Sequence, residues 1–415
     1  MSAAGYFDSP WPGEDGGPAR LQSPHGTPGL ALQPGERLAQ TSRRTQLSTM
    51  TVLGAPGEVF LLTHSALRAH LGLPTTACVE RIDPVSLRTL RCSPRLRGGP
   101  MWPGGLAVHR NGSLYVVYGR HGHRLDSDCQ LMASCELPVA EPYNSFVILD
   151  NGLIVTKNLS ERTPARLSVL DEQLASAAAD VDLPEPSVAR LSAVGNTVYV
   201  VGLRHLYRYR WDDASRQLQL DSGWQPDYLA GSPNSHGWDL VVDGDQAWLM
   251  DNGRHRYLVR MTGAARSAGA NRLIRVSLRD GSVQALEVSG LPRGAITNPP
   301  LLDPRRRIVV AYDSANAVLR AWRYGEALAD LAPLWQRQPF GAASHMILYP
   351  DTGELVVNDH RGLRESVVVL AIETGAELGR VRTAGHMQGV VFPSSGFGRD
   401  FYWSSMDRLT RVHVQ

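Results

Sequence analysis

Apolar and polar residues alternate with a period of two along most of the chain, in short runs that end at Gly, Asp, Asn or Pro. One unit recurs: a strand, a tight turn, and a second strand rich in Val, Tyr and Leu. Eight copies are present: TMTVLGAPGEVFLLT from Thr49, GLAVHRNGSLYVVY from Gly105, SFVILDNGLIVT from Ser145, RLSAVGNTVYVVG from Arg190, DLVVDGDQAWLMD from Asp239, PLLDPRRRIVVAY from Pro300, MILYPDTGELVVN from Met346 and GVVFPSSGFGRDFYWS from Gly389. A second, weaker hairpin lies between them, clearest in CVERIDPVSLRTLRC, RLIRVSLRDGSVQALEV and VVVLAIETGAELGRV. Four antiparallel strands per unit, at a period of roughly 40 to 60 residues, predict an all-β fold, a β-propeller. Eight blades are expected, with seven as the alternative if the strand at Thr49 closes the last blade. Helical periodicity is nearly absent; residues 65–71 are the best short candidate, as an insertion.

Naming the strands A to D from the axis outward, the last unit supplies A, B and C and then runs out. Its outer strand is therefore expected from the N-terminal arm, which closes the ring and leaves no open edge. The organisation read from this is a Gly/Pro-rich arm over residues 1–46 and a single propeller domain over 47–415. The apolar stretch at residues 29–32 is the arm's candidate strand.

Composition adds little to the fold and more to the function. Forty Gly and 27 Pro in 415 residues, about one residue in six, match the number of turns. With 42 Lys+Arg against 40 Asp+Glu, the near-balanced charge argues against a nucleic-acid groove or a polybasic membrane surface, so neither partner is expected. No apolar run approaches the 18 or so residues of a membrane span. The arm lacks a signal-peptide pattern, which predicts a cytoplasmic protein. Cys78 and Cys92 flank a hairpin near Val85; a disulfide there would instead indicate export. Lys157 is the sole lysine, and every other basic side chain counted is arginine, as expected of a GC-rich, bacterial genome.

In a propeller the starts of A strands and the ends of B strands converge on one mouth of the channel. Three histidines, His236, His345 and His386, stand at A-strand starts of three blades. Together they suit one divalent ion, Zn, Fe or Mn, with positions open to water or substrate; the alternative is a metal-free pocket with acid/base histidines. A second set, Glu141, Asn144, Asn298 and Asp313, offers oxygen ligands for a harder ion such as Ca, and its competing reading is ordinary turn chemistry. Lys157 closes a B strand in the same ring. A lysine retained where arginine serves elsewhere points to a lowered pKa, a nucleophilic amine or a compact charge. Asp359 and His360 complete the candidate catalytic group with His345, His386 and Lys157, while Tyr143, Asn144, Asn158, Asn252 and Trp238 are candidates for substrate contact. Trp102, Trp248 and Trp403 lie near strand ends, where packing between blades is their commoner use. Nucleotide-binding fingerprints are missing, so no nucleotide cofactor is expected.

With strings such as RIDPVSLRTL, LAIETGAELG and ILYPDTGELVVND, the chain resembles the broad propeller group of SMP-30/gluconolactonase, strictosidine-synthase-like and quinoprotein-type proteins, at the level of the blade over residues 47 to 415. The resemblance to the lactonase-like members implies a divalent cation at the mouth held by Glu, Asn and Asp, which Glu141, Asn144, Asn298 and Asp313 match by position. The histidines are similar instead to those of carotenoid-cleavage oxygenases and oligogalacturonate lyases, which implies a His-bound metal. The expectation is an enzyme for a small organic substrate, working by hydrolysis of a lactone or ester, or by proton abstraction in a lyase or isomerase. A non-catalytic binding platform is the alternative.

Overall fold

The structure, a computed structural model, describes residues 3–65, 68, 71, 73–99 and 104–415. Eight four-stranded antiparallel sheets form a ring of blades, the first carrying one extra short strand, Leu96–Arg97. The innermost A strands are Ser48–Leu53, Gly105–Val108, Tyr143–Ile148, Ser192–Val194, Val241–Asp243, Leu301–Asp303, Ile347–Tyr349 and Ser394–Ser395, in blades 1 to 8. Each pairs with the B strand that follows it, from Val59–His64 in blade 1 to Asp400–Ser405 in blade 8. The eight recurring hairpins are these A–B pairs.

Burial explains why the A–B hairpins carried the stronger pattern. Strands such as Val59–His64 and Ile308–Asp313 are buried along their whole length, clamped between neighbouring blades, whereas outer strands such as Thr89–Cys92 are exposed. Apolar clusters accordingly run between blades, such as the set joining Trp248, Leu273, Tyr312, Trp322, Leu355 and Val368. Trp248 and Trp403, fully buried, belong to this packing.

The ring closes as expected, through the arm: Leu38–Arg44 pairs antiparallel with Arg408–Val414, in register from Leu38 opposite Val414 to Arg44 opposite Arg408. The closing strand is thus not at residues 29–32. An outer strand needs only one half-covered face, which the polar sequence of 38–44 meets. The apolar residues 29–32 are tethered instead by Glu354, whose carboxylate accepts the backbone N–H groups of Leu30, Ala31 and Leu32 at 2.9 Å each.

Most of the helix expected at residues 65–71, and Trp102, lie outside the described residues. Cys78 and Cys92 face each other from strands C and D of blade 1, Sγ to Sγ 2.7 Å, as free thiols. Among the described residues no helix is long and apolar enough to cross a membrane.

The earlier part of the arm does something the pattern did not announce: it fills one end of the channel. A strands expose their inner edges to the axis, and the arm pairs with those edges in turn. Val108 and Leu53 donate N–H to Pro12 and Trp11, Ala193 to Pro18, Val242 to Ala19 and Leu348 to Gln22, all at 2.7–3.0 Å. Ile148 N–H meets the Tyr6 hydroxyl at 3.1 Å, and the Gln22 side chain bridges Pro300 O and Met346 N. Seven blades are touched, so the arm satisfies edge groups that water or nothing would otherwise meet. So close a passage needs glycine: a Cβ on Gly5 would stand 2.0 Å from Leu149 O. Three non-glycine residues, Asp15, Arg20 and Gln22, adopt left-handed backbone conformations with φ of 53°, 59° and 55°. Their side chains enter the channel, so local strain is accepted where it aims a polar group.

Candidate functional site in the channel

The centre of the channel holds a buried ionic cluster built from the arm and the A-strand starts. Arg20 donates through Nη1 to Asp15 Oδ2 at 2.9 Å, through Nη2 to Glu14 Oε2 at 2.8 Å and to Ser145 Oγ at 3.2 Å, and through Nε to Leu191 O at 2.8 Å. Asp239, before strand A of blade 5, lies 3.9 Å from Arg20 and accepts Arg190 N–H at 3.0 Å. His345, before strand A of blade 7, brings Nδ1 to 2.8 Å from Asp15 Oδ1, a close approach but off the line of a hydrogen bond. Phe392 of blade 8 carries the His345 ring on it at 4.0 Å and the Arg190 guanidinium at 4.2 Å. Burial opposes charge on both Asp15 and Arg20. For Asp15, His345 and Arg20 outweigh it and hold the carboxyl below its ordinary value; for Arg20, Asp239, Glu14 and Asp15 do the reverse.

Asp15, Asp239 and His345 place ligand atoms within 4.8 Å of one another, the one such trio of His, Cys, Asp or Glu among the described residues. Its donor set, two carboxylates and an imidazole, is of a metal-binding kind. Arg20 also stands beside these carboxylates, 2.9 Å from Asp15 Oδ2 and 3.9 Å from Asp239, and compensates part of their charge.

Of the predicted histidine trio, only His345 belongs to this cluster. His236 is half-buried with its ring edge-on to Trp238, centroids 5.8 Å apart. Burial, then the charges of Lys157 and Arg254, push its pKa down to about 4, so it is a neutral imidazole. His386 is exposed, and its carbonyl oxygen faces Nε2 of His360 at 3.0 Å.

Most other polar residues at A-strand starts and B-strand ends are buried and tie down loops. Asn158 accepts Arg166 N–H at 2.7 Å and donates to Glu141. Asn252 accepts Ile296 N–H at 3.0 Å, and Asn298 donates to Ala343 O at 2.6 Å and Val390 O at 3.2 Å. Asp313 accepts Ser289 Oγ at 2.6 Å and Asn316 Nδ2 at 2.7 Å. Asp359 is held by Gly341 N–H, Arg361 and Arg380 at 2.9 Å each. Tyr143 takes Val139 N–H on its hydroxyl at 3.2 Å, and Asn144 is buried beside it. Glu141 and Asp313 thus serve separate loops, in blades 3 and 6.

Lys157 differs from these. Its side chain is 2% exposed, and among the described residues its ammonium nitrogen reaches only backbone oxygens, Ser187 at 3.2 Å and Asn158 at 3.5 Å. Burial is the main effect on it, partly offset by Asp239 and reinforced by Arg190, and its pKa is pushed down to about 7. Through these charges Lys157, Arg190, His236, Asp239 and Arg254 form one electrostatic neighbourhood.

A hairpin at residues 253–270, between strands B and C of blade 5, folds over part of the mouth. Its arms pair at Arg256 N to Ala264 O, 3.2 Å, and Arg266 N to Arg254 O, 2.5 Å. Its tip is anchored in blades 6 to 8: Met261 is fully buried against Ala295, Ala315 and Ala343, its N–H donates to Gln388 Oε1 at 2.7 Å, and Tyr257 donates to Gln388 O at 2.6 Å. On the arm's side a cleft of about 440 Å³ is bounded by Tyr6, Pro12, Pro18, His25, Asp150 and Val194.

Sequence reasoning missed Glu14, Asp15 and Arg20, because a Gly/Pro-rich arm reads as a tail. Their signal was charge inside PGEDGGPAR. Arg190 and Phe392 stand just before A strands, in the positional class that singled out the histidines; the hairpin was visible as a long connection carrying four arginines and no acid.

No family model matches the chain, and no curated protein does. Among solved structures it is similar to the quinohemoprotein alcohol dehydrogenase of Comamonas testosteroni, with a TM-score of 0.65 and 10% identity over 97% of this chain and 80% of that one. The Dos1 propeller matches with a TM-score of 0.56 and 8% identity over 91% and 95% of the two chains. BamB from Moraxella catarrhalis matches with a TM-score of 0.54 and 13% identity over 91% and 97%. At such identities the likeness is one of fold: the chain is an eight-bladed β-propeller that shares its blade architecture with an enzyme and with other propellers, and matches no single family.

Proposed function

We propose that the protein is an enzyme for a small organic substrate at the mouth of the channel, and that Lys157 is its general base in a proton abstraction next to a carbonyl. The observation that carries this reading is the setting of Lys157. It is a buried amine that among the described residues meets only backbone oxygens, in a chain that uses arginine at every other basic position counted. Burial pushes it to about 7, where a substantial neutral fraction can accept a proton.

The neighbouring groups suit the same step. Lys157 takes the proton from the substrate carbon, and the electron pair moves onto the carbonyl oxygen. The negative charge developing there is met by Arg254 and Arg190 and by the N–H of neutral His236. Reprotonation at a second carbon gives an isomerase; loss of a leaving group gives a lyase. The step as written uses only groups near Lys157 and does not draw on the Asp15, Asp239 and His345 trio.

The test uses the single lysine. Competitive acetylation read by mass spectrometry, from pH 5 to 10 on the folded protein, reports the titration of Lys157 alone. The expected midpoint is near 7, with suppression on adding the substrate. A midpoint above 9, or labelling only after unfolding, would sink the reading.

A further inference from the structure

From the hairpin over the mouth, we infer that the substrate is a small organic oxyanion, and that Arg254, Arg256 and Arg266 draw it in and hold its anionic group. The inference rests on the mouth being a small-molecule site, and it adds the substrate's charge class.

Three features support it. The hairpin carries four arginines and a histidine with no acidic residue between positions 253 and 270, and Arg254, Arg256, Arg260 and Arg266 are exposed. Exposed arginines elsewhere in the fold are divided, some meeting a carboxylate as Arg204 meets Asp227 at 2.7 Å and others such as Arg162 and Arg364 forming no ion pair among the described residues, so what sets the hairpin apart is four of them gathered in one segment without an acid. Among the described residues these four form no ion pair.

The hairpin is also a fixed element. Met261 and Tyr257 pin its tip, and the pairing of its arms sets Arg254 beside Arg266, with Arg256 opposite Ala264. Like charges held side by side without counterions are unfavourable unless an anion joins them, and guanidinium groups bind carboxylate and phosphate oxygens in two-pronged fashion.

Finally, the patch is continuous with the interior. Arg254 acts on His236, as does Lys157, so positive charge leads from the rim inward to the amine. The carboxylates near this path are engaged: Asp239 with Arg190 N–H, Glu141 with Asn158, and Glu365, beneath Tyr257, with Asn358 and Gly389 N–H. An arriving anion therefore meets free cations first.

The experiment is isothermal titration of the full chain with malonate and, separately, with inorganic phosphate, at constant ionic strength and low millimolar concentration. Binding of either is expected, and which one binds identifies the oxyanion as a carboxylate or a phosphate. Replacing Arg254, Arg256 and Arg266 together by Gln is expected to weaken it by about tenfold or more. Lys157→Met is expected to retain anion binding while losing the titration near 7. Thus arginine-dependent binding with an ordinary, unreactive lysine would leave this inference standing and remove the proposed base. No binding of either anion, or equal binding by the triple variant, would overturn the inference.

Discussion

Nδ1 of His345 lies 2.8 Å from Oδ1 of Asp15, which joins the start of the seventh blade to the N-terminal arm on the propeller axis. The other carboxylate oxygen of Asp15 takes Arg20 at 2.9 Å. The arm is therefore part of the channel: it pairs the inner edges of the blades and supplies three of the charges at their centre.

Arg20 should be the most sensitive position of the arm. Arg20→Met removes the cation shared by Glu14, Asp15 and Asp239 and leaves these buried carboxylates only Arg190, 3.6 Å from Glu14, and His345, 2.8 Å from Asp15, a change that typically costs about 3–5 kcal/mol. Arg20→Lys should recover little, since one ammonium cannot reach Leu191 O, Asp15, Glu14 and Ser145 from a single direction. Urea denaturation measures both. A loss under about 1 kcal/mol in Arg20→Met would show that the cluster does not bind the arm.

The same cluster predicts an acid limb. His345 and Arg20 hold Asp15 below its ordinary pKa against the effect of burial, whereas in the unfolded chain it titrates near about 3.9. Between the two values the unfolded state binds the extra proton, so stability rises with pH there. The contribution is complete above the unfolded value and fades as pH falls through the folded one. Asp15→Asn should flatten the stability curve below about pH 4. An unchanged acid limb would assign it to other carboxylates.

The legibility of this fold follows from where burial is two-sided. The A–B hairpins are clamped between blades, so their alternation and turn residues announced eight blades and a borrowed closing strand. The same logic says less about chemistry at strand ends. Asp313 and Asn358 meet the need of loops between strands for acceptors of backbone N–H groups: Asp313 Oδ1 accepts Ala295 and Asn316 N–H at 3.3 and 3.2 Å, and Asn358 Oδ1 accepts Ala343 and Ser344 N–H at 3.0 and 3.1 Å. A string such as VVND is silent on whether its carboxamide faces a ligand or its own loop. Lys157 stood out because the arginine bias of the chain made it unusual. The arm stayed hidden because its pairing is to seven blades in turn, each through one or two residues, and leaves no periodic trace.

Two truncations separate the two roles of the arm. A chain starting at Arg37 keeps the closing strand Leu38–Arg44 and loses the plug. It should keep the association state of the full chain, with a lower thermal midpoint. A chain starting at Thr45 also exposes the edge of Arg408–Val414, an unpaired strand open to other chains. Size-exclusion chromatography should show further association only in the second. Equal behaviour of the two would mean that closure does not depend on this strand.

Lys157 should destabilise the protein that carries it. In the unfolded chain its amine titrates near 10.5, in the fold near 7. Below pH 7 both states hold the proton and the folded one carries a buried ammonium, a burden of about 5 kcal/mol at 1.36 kcal/mol per unit. Between 7 and 10.5 the unfolded state alone binds the proton, so stability climbs with pH. Lys157→Met, close in size and apolar, should be more stable than the native chain at pH 6 by a large part of that amount, and the gain should shrink steadily toward pH 10. Urea midpoints across this range measure the difference. A native chain whose stability is flat from pH 7 to 10, or a variant with no advantage at pH 6, would mean that the amine keeps an ordinary pKa through solvent or a counterion. It would then be an unremarkable structural lysine. A sloping difference would establish a buried amine that the fold tolerates at a loss, as expected of a group retained for its reactivity.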